Sequence, residues 1–574
     1  MINSSTFQEY LAAEPPLLEA CDKPTSSNDP HLRKWAALLP AQTEAQQVEQ
    51  IEKVLTELRL TPMDDRARLS LIKIVINAAN QLIAALRQQY IYESGALNEA
   101  QLGYVAQVKS LYYSLIMTYD GVIHRETAFL KDKQQAPSSR LWRRYFTGER
   151  SSPITLAIAT YQTLLIYQKL LFEDALCYQK PPAYTWANIN KLYRIACQQQ
   201  VSDIVLSVYL PTQQADTIHH SYCQICLHDL LNVRALRRPH MLLLQRLLPD
   251  WSVHMVAAIE PRTATRVFVN LQSKEPPTYL TALSTINPYD AHHTCLFIEL
   301  GSLLTYLQSR MQTLIDTERR GVEYYLINTV SMAISYRYID PKITLPIKHN
   351  TEQTATIITG FNEIHYRISN GEVFSSLIVS KNLPKYQQPR YDTLPKTPAS
   401  YKELGANIFE GDNPLSHFRT LCLLPECLLP DSSEPTGNID DLISIAPPLQ
   451  IMSLFLLCRK DIATPSKWSM GVVRWLDLDS EKPKLEWQVL GHKMIACGIC
   501  LQDREDRSQH FVPAFVIGDD KRLQTAHSVL LPTSHFQTDD KVIMRINDQQ
   551  KFLRLGRSLM MTDEFSQYEV MQAQ

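Results

Sequence analysis

The order of apolar and polar positions divides the chain into a helical first half and a strand-rich last third. From about residue 41, apolar residues recur at helical intervals. Val48, Ile51, Val54, Leu55 and Leu58 form one stripe, the spacing that places side chains on a single helix face. Thr61-Pro62 followed by Asp64 and Asp65 is a start signal, combining a cap, a first-turn proline and carboxylates facing the helix dipole. The pattern predicts helices over about Pro62 to Tyr92, Asn98 to Arg125, Pro153 to Tyr178, Trp186 to Gln200, Val201 to Leu210, His219 to Leu231 and Pro239 to Leu248. Aromatic and aliphatic residues fall at tetratricopeptide-like positions in Tyr161 to Tyr167 and Trp186 to Tyr193, without a fixed period. The expectation is a helical bundle or irregular helical-repeat array over 41–250, preceded by an irregular lead-in over 1–40 that is rich in Pro, Ser and acidic residues.

After Asp250 the texture changes. Thr265 to Leu271 and Thr294 to Leu300 read as strands, Ser302 to Glu318 as a helix, and Tyr324 to Asn328 and Thr354 to Ile358 as further strands. This predicts a small mixed α/β segment over 251–380. Residues 381–414 carry Pro384, Pro389, Pro395, Pro398 and Pro414 among polar residues, the composition of a linker. Beyond it come ten short strands: Thr420 to Leu424, Leu442 to Ile445, Gln450 to Cys458, Met470 to Leu476, Leu485 to Leu490, Ile495 to Leu501, Phe511 to Ile517, His527 to Leu531, Lys541 to Ile546 and Lys551 to Leu555. Such spacing predicts a β-barrel over 415–574 with a further β-element behind it. The fold class is therefore α+β and multidomain.

Length and charge narrow the functional classes. The 574 residues exceed what one core accommodates. The 57 Lys and Arg nearly balance 59 Asp and Glu, so no global field draws the protein to nucleic acid or an anionic membrane. The start, Met1 to Tyr10, has neither a basic region nor an apolar core. The run Ile451 to Cys458 is less than half the roughly 20 residues of a membrane helix. Together these predict a cytoplasmic protein without stable membrane insertion. Eleven scattered cysteines suit reduced, buried thiols. No phosphate-binding glycine loop, nucleophile elbow, His-Glu-x-x-His or kinase-type His-Arg-Asp occurs, so a non-enzymatic role is expected, with no catalytic residues, no cofactor and no metal.

Trp468-Ser-Met-Gly-Val-Val-Arg-Trp-Leu476 and Lys484-Leu-Glu-Trp-Gln-Val-Leu-Gly491 flank a charged turn. They read as a β-hairpin, because β-branched and aromatic residues fill both arms and turn formers the middle. The wording Gly-Val-Val-Arg-Trp-Leu, followed by a strand ending in Leu-Gly, resembles the last hairpin of a PilZ-type barrel. The architecture as a whole, with Thr359 to Gly371 in mid-chain, is similar to long gammaproteobacterial PilZ-domain proteins. The resemblance implies a barrel over about 415–500 and cyclic di-GMP as ligand. In that family an Arg-x-x-x-Arg segment ahead of the barrel grips phosphate and guanine, as guanidinium pairs bidentately with phosphate and stacks on purines. Here Arg419 is the arginine nearest the expected barrel start, and Arg474 follows on the hairpin; both are candidate ligand residues. Asp431 to Asn438 loosely matches the family's second motif, and Leu485-Glu486-Trp487 stands where the family has Leu-Gly-Val.

Other constellations are read as structural. His219, His220, Cys223, Cys226 and His228 offer soft ligands without a distal pair to close a zinc site, and a buried helix using cysteine as a small hydrophobe fits better. Cys497 and Cys500 in strand texture point to opposite faces. Arg-x-x-x-Arg at Arg234 to Arg238 and Arg262 to Arg266, and the pair Arg319-Arg320, suit solvated surface or helix ends. The expectation is a signalling or adaptor protein whose helical half binds a protein partner. The alternative is a helical scaffold whose barrel has lost the nucleotide.

Overall fold

The computed structural model of the chain describes residues 1–13, 29–93, 97–135, 153–210, 216–260, 265–280, 284, 286–290, 294–317, 319–339, 352–381, 388, 404–409, 418–424, 449–459, 468–478, 483–502, 510–520, 526–533 and 536–572. These form two compact units. The first draws on the described residues up to Tyr306 apart from 235–240, and the second on 235–240 and the described residues from Leu307 onward.

The first unit is mainly helical. Its helices include α1 (Ser4–Ala12), α2 (Asp29–Leu38), α3 (Glu44–Leu60), α4 (Asp65–Gln88), α5 (Glu99–Gln135), α6 (Pro153–Leu176), α7 (Ala183–Gln198) and α8 (Ile218–Leu230). The stripe read from the sequence is the buried face of α3, with Val48, Ile51, Leu55 and Leu58 inside, and Thr43 with Gln46 closes a capping box at its start. Helix α4 begins three residues after the expected proline, because the Asp64 carboxylate accepts from the Ala67 N–H at 3.0 Å and serves as the cap. By length and composition alone α4 is long and apolar enough to cross a membrane; here Leu71, Ile72, Val75, Leu82, Ile83 and Leu86 are buried in the helical core. That core also holds charge. Arg87 Nε lies 2.7 Å from Glu173 Oε1, Lys109 Nζ lies 2.6 Å from Asp174 Oδ1, and the Tyr90 hydroxyl donates to Glu173 Oε2 at 2.6 Å.

Two expectations for this half fail. The first forty residues contain α1 and α2; α1 forms because Phe7 is buried and stacks on Tyr113 of α5 at 4.5 Å, a tertiary contact that local composition does not reveal. Val201 to Leu210 is turns rather than helix. The Leu206 N–H turns away to the Asp216 carbonyl at 2.8 Å, and β-branched Val201, Val205 and Val208 lower the helix propensity.

The expected strands near 265–300 are found. Strands β1 (Val256–Ala258), β2 (Val267–Asn270), β3 (Thr278–Tyr279) and β4 (Cys295–Glu299) make an antiparallel sheet in the order β1-β4-β2-β3. Asn190 of α7 donates its amide to the carbonyls of Ser273 and Glu275, both at 3.1 Å. Helix α9 (Arg238–Ser252) starts where Pro239 predicted, with Met241, Leu244 and Leu248 buried.

The second unit contains two closed antiparallel barrels. The first has the order β10-β7-β6-β5-β8-β9, from β5 (Glu352–Thr359), β6 (Leu404–Phe409), β7 (Phe418–Leu423), β8 (Leu454–Arg459), β9 (Trp468–Asp477) and β10 (Lys484–Gly491). The second has the order β11-β12-β13-β16-β15-β14, from β11 (Met494–Leu501), β12 (Val512–Ile517), β13 (Ser528–Pro532), β14 (Lys541–Ile546), β15 (Gln549–Met561) and β16 (Phe565–Gln572). The first barrel therefore begins upstream of the expected boundary. The strand read at Thr354 to Ile358 is its β5, and β6 lies inside the stretch read as a linker. Closure needs six hydrogen-bonded neighbours, and strand pairing across some fifty residues leaves no mark in local composition. The expected strand Leu442 to Ile445, the five linker prolines and Asp431 to Asn438 lie outside the described residues.

Tyr324 to Asn328, expected as a strand, lies in helix α11 (Val322–Ile334), after α10 (Gly301–Asp316). Its apolar run is too short to reveal a period by itself, and the buried Leu326, Ile327, Val330, Ala333 and Ile334 supply the helical spacing. Two short helices, α12 (Phe361–Ile368) and α13 (Phe374–Ile378), pack on the barrels. Phe361 and His365 lie 4.8 and 5.5 Å from the Phe515 ring. At the turn between β15 and β16, Glu564 accepts from Arg237 at 3.0 Å and from the Leu454 N–H at 3.3 Å, tying the second barrel to the start of β8.

Candidate functional site

The hairpin singled out in the sequence forms β9 and β10, and β10 pairs on its other edge with β7. Arg419 sits on β7 opposite Trp487 of β10. Trp487 is fully buried, 5.1 Å from the Phe455 ring, and the Arg419 guanidinium lies 6.0 Å from the indole centroid, within cation–π range. Arg474 sits on β9. Its Nε donates to Gln488 Oε1 at 2.9 Å, its Nη2 donates to the same oxygen, and its Nη1 lies 3.3 and 3.2 Å from the sulfurs of Met332 and Met452. Burial lowers its pKa to about 10, still charged at neutral pH.

Trp487 and Gln488 are successive residues of one strand, so their side chains leave opposite faces of the wall. Arg419 follows Trp487 and Arg474 follows Gln488. The two expected ligand residues are thus each only 7% exposed and lie on opposite sides of the barrel wall, so they do not converge on a shared phosphate.

An arginine that the sequence reading passed over lies on the outer surface. Helix α11 runs on as a π turn over Ser335–Ile339, the last described segment before β5. Arg337 Nη1 lies 3.2 Å from Glu486 Oε1, and its guanidinium stands 5.2 Å from the Trp475 ring. The Tyr336 hydroxyl donates to Glu486 Oε2 at 2.5 Å, and burial, reinforced by Glu486, raises its pKa. The residue at the position where the resembled family has Gly therefore anchors the segment leading into the barrel. Tyr336-Arg337-Tyr338 lies well upstream of the expected barrel start near 415, and only the tertiary structure brings it against Glu486 of β10.

The remaining motifs resolve as follows. Cys497 belongs to the interior of the second barrel with Ile499, Ala514, Val529 and Leu555, and Cys500 packs outside it with Phe374, Ile378 and Phe511, the opposite-face arrangement the alternation predicted. Cys223 and Cys226 are buried in α8, and burial pushes the Cys223 thiol up to about 12. Cys223 Sγ is 3.6 Å from His219 Nε2. Of the basic motifs, Arg266 donates to the Tyr279 hydroxyl at 3.2 Å on the exposed side of the sheet, Arg262 lies outside the described residues, and Arg238 opens α9. Among the described residues, no group of three His, Cys, Asp or Glu side chains is placed to hold a metal ion.

A mainly helical unit followed by two closed barrels defines an α+β multidomain protein. Residues 30–261 match the family described as the N-terminal domain of the cyclic-di-GMP receptor FimW, and residues 497–572 match the FimW C-terminal β-barrel domain. The second match coincides with the barrel β11–β16. No curated protein matches the chain.

Proposed function

We propose that the protein is a non-enzymatic receptor for cyclic di-GMP that relays occupancy to a protein partner through its helical unit, in the cytoplasm. The observation that carries this reading is the match of both ends of the chain to domains of one cyclic-di-GMP receptor family. The six-stranded first barrel, whose β9–β10 hairpin has PilZ-like wording, is consistent with it. In this reading Arg419 and Arg474 act from within the barrel wall. Each would have to leave Trp487 or Gln488 to reach a phosphate, so they shape the wall before they contact any ligand.

The test is titration calorimetry of cyclic di-GMP into the full chain, with Arg419→Ala and Arg474→Ala alongside. Saturable binding at micromolar concentration or tighter, about −8 kcal/mol or better, supports the receptor. Absence of heat and of any thermal shift at millimolar ligand overturns it and leaves a helical scaffold, to be pursued through the partner of the helical unit.

A further inference from the structure

Helices α5, α6 and α7 enclose a cavity of about 290 Å³ in the helical unit. Its floor is a polar stripe on one face of α5, where Asp120, His124, Thr127 and Lys131 follow at intervals of four, three and four residues, the repeat that keeps side chains on one side of a helix. Across from it stand Lys191 of α7 and Tyr167 of α6. Asp120 Oδ2 is 3.5 Å from the Tyr10 hydroxyl and 3.6 Å from His124 Nε2. Both contacts are long, and both fall on the same carboxylate oxygen. The buried Thr127 Oγ1 has no hydrogen-bond partner among the described residues.

We propose that this cavity takes one guanylate half of cyclic di-GMP, with the Asp120 carboxylate on the base edge and Lys131 and Lys191 toward the phosphate. The inference rests on the receptor reading above and locates its binding site. The chemistry selects the base. A carboxylate is acceptor-only, and guanine presents two adjacent donors, N1–H and the N2 amino group, whereas adenine places an acceptor at N1. The charges select the rest of the ligand: two ammonium groups against one carboxylate leave a positive surplus, and lysine binds phosphate as a point charge. The apolar walls of Ile116 and Leu192 suit the faces of a purine. Eleven residues of helix separate Asp120 from Lys131, about 16 Å at 1.5 Å per residue, which gives the trough a base end and a phosphate end. The volume lies at the lower limit of small-molecule sites, roughly 300 Å³, room for one nucleotide half with the other outside.

The experiment titrates cyclic di-GMP and cyclic di-AMP into the full chain and into Asp120→Asn, Lys191→Ala and the barrel variant Arg474→Ala, each at a temperature well below its own thermal midpoint. Asp120→Asn keeps the shape but replaces half the acceptor with a donor. It is expected to weaken cyclic di-GMP at least tenfold and to erase most of the preference over cyclic di-AMP, and Lys191→Ala to weaken both dinucleotides. Where Asp120→Asn lowers the thermal midpoint, Lys191→Ala and Lys131→Ala carry the same comparison from more exposed positions. Wild-type affinity in Asp120→Asn and Lys191→Ala, with loss only in the barrel variant, overturns the inference and leaves the receptor reading intact. No binding by the wild-type chain removes both.

Discussion

Gly471 of β9 and Trp487 of β10 meet inside the first barrel so closely that a Cβ at 471 would overlap the indole ring, with Phe455 3.1 Å away on the other side. The glycine leaves room for the largest side chain of the barrel interior at the place where Trp487 also receives the Arg419 guanidinium. Gly471→Ala is expected to cost about 1–3 kcal/mol, the range for overpacking a filled core. Chemical denaturation of the full chain followed by tryptophan fluorescence measures it, and an unchanged midpoint would show that the ring can move aside.

Arg474 is stabilised by Gln488 in a site otherwise lined by methionine sulfur. Arg474→Ala opens a cavity and removes the donor to the half-buried Gln488 Oε1; a fully buried polar group left unsatisfied costs about 1–3 kcal/mol, so the partial exposure of Gln488 puts its share at the lower end. The double variant Arg474→Met with Gln488→Leu removes both partners and fills the space, so it should be closer to wild type than Arg474→Ala. Equal losses in the two would place the effect in packing rather than in the hydrogen bonds.

Within the helical core, Glu173 is fully buried between Arg87 and Tyr90. Glu173→Ala leaves the Arg87 charge desolvated without its carboxylate, a loss of about 3–5 kcal/mol, while exchanging a buried ion pair for apolar residues of similar volume is often neutral. The expected order of thermal midpoints is therefore wild type close to the Arg87→Met, Glu173→Leu double variant, and both above Glu173→Ala. A double variant no better than the single one would contradict this account.

His365 is held neutral by burial, which lowers its pKa from 6.5 to about 4. Its Nε2–H donates to the Cys497 carbonyl at 3.0 Å, coupling α12 to β11. Because the unfolded chain takes up a proton at 6.5 and the folded one does not until about 4, stability is unaffected above pH 6.5 and falls as pH drops through this window, at up to about 1.4 kcal/mol per pH unit. His365→Gln removes the titration while offering an amide donor for the same carbonyl. Denaturation midpoints at pH 7, 6 and 5 should fall less steeply in the variant, and parallel slopes would assign the acid sensitivity to other groups.

Local chemistry was legible in the sequence wherever the signal was local. The α3 stripe, the helix start at Pro239, and the β9–β10 hairpin follow from periodicity and turn residues within about twenty positions, and Cys497 and Cys500 face apart because strand side chains alternate. Only the tertiary structure decided which strands close each barrel, since β5 and β6 pair before a long excursion brings in β8 and hydrogen-bonded backbone carries no residue code for a distant partner. The same holds for the candidate sites. Arg419 and Arg474 are 55 residues apart in sequence, and it is the register against Trp487 and Gln488 that sends them to opposite faces. Asp120, Lys131 and Lys191 face one cavity because α5 and α7 pack beside α6, an arrangement set by the complementary burial of whole helix faces.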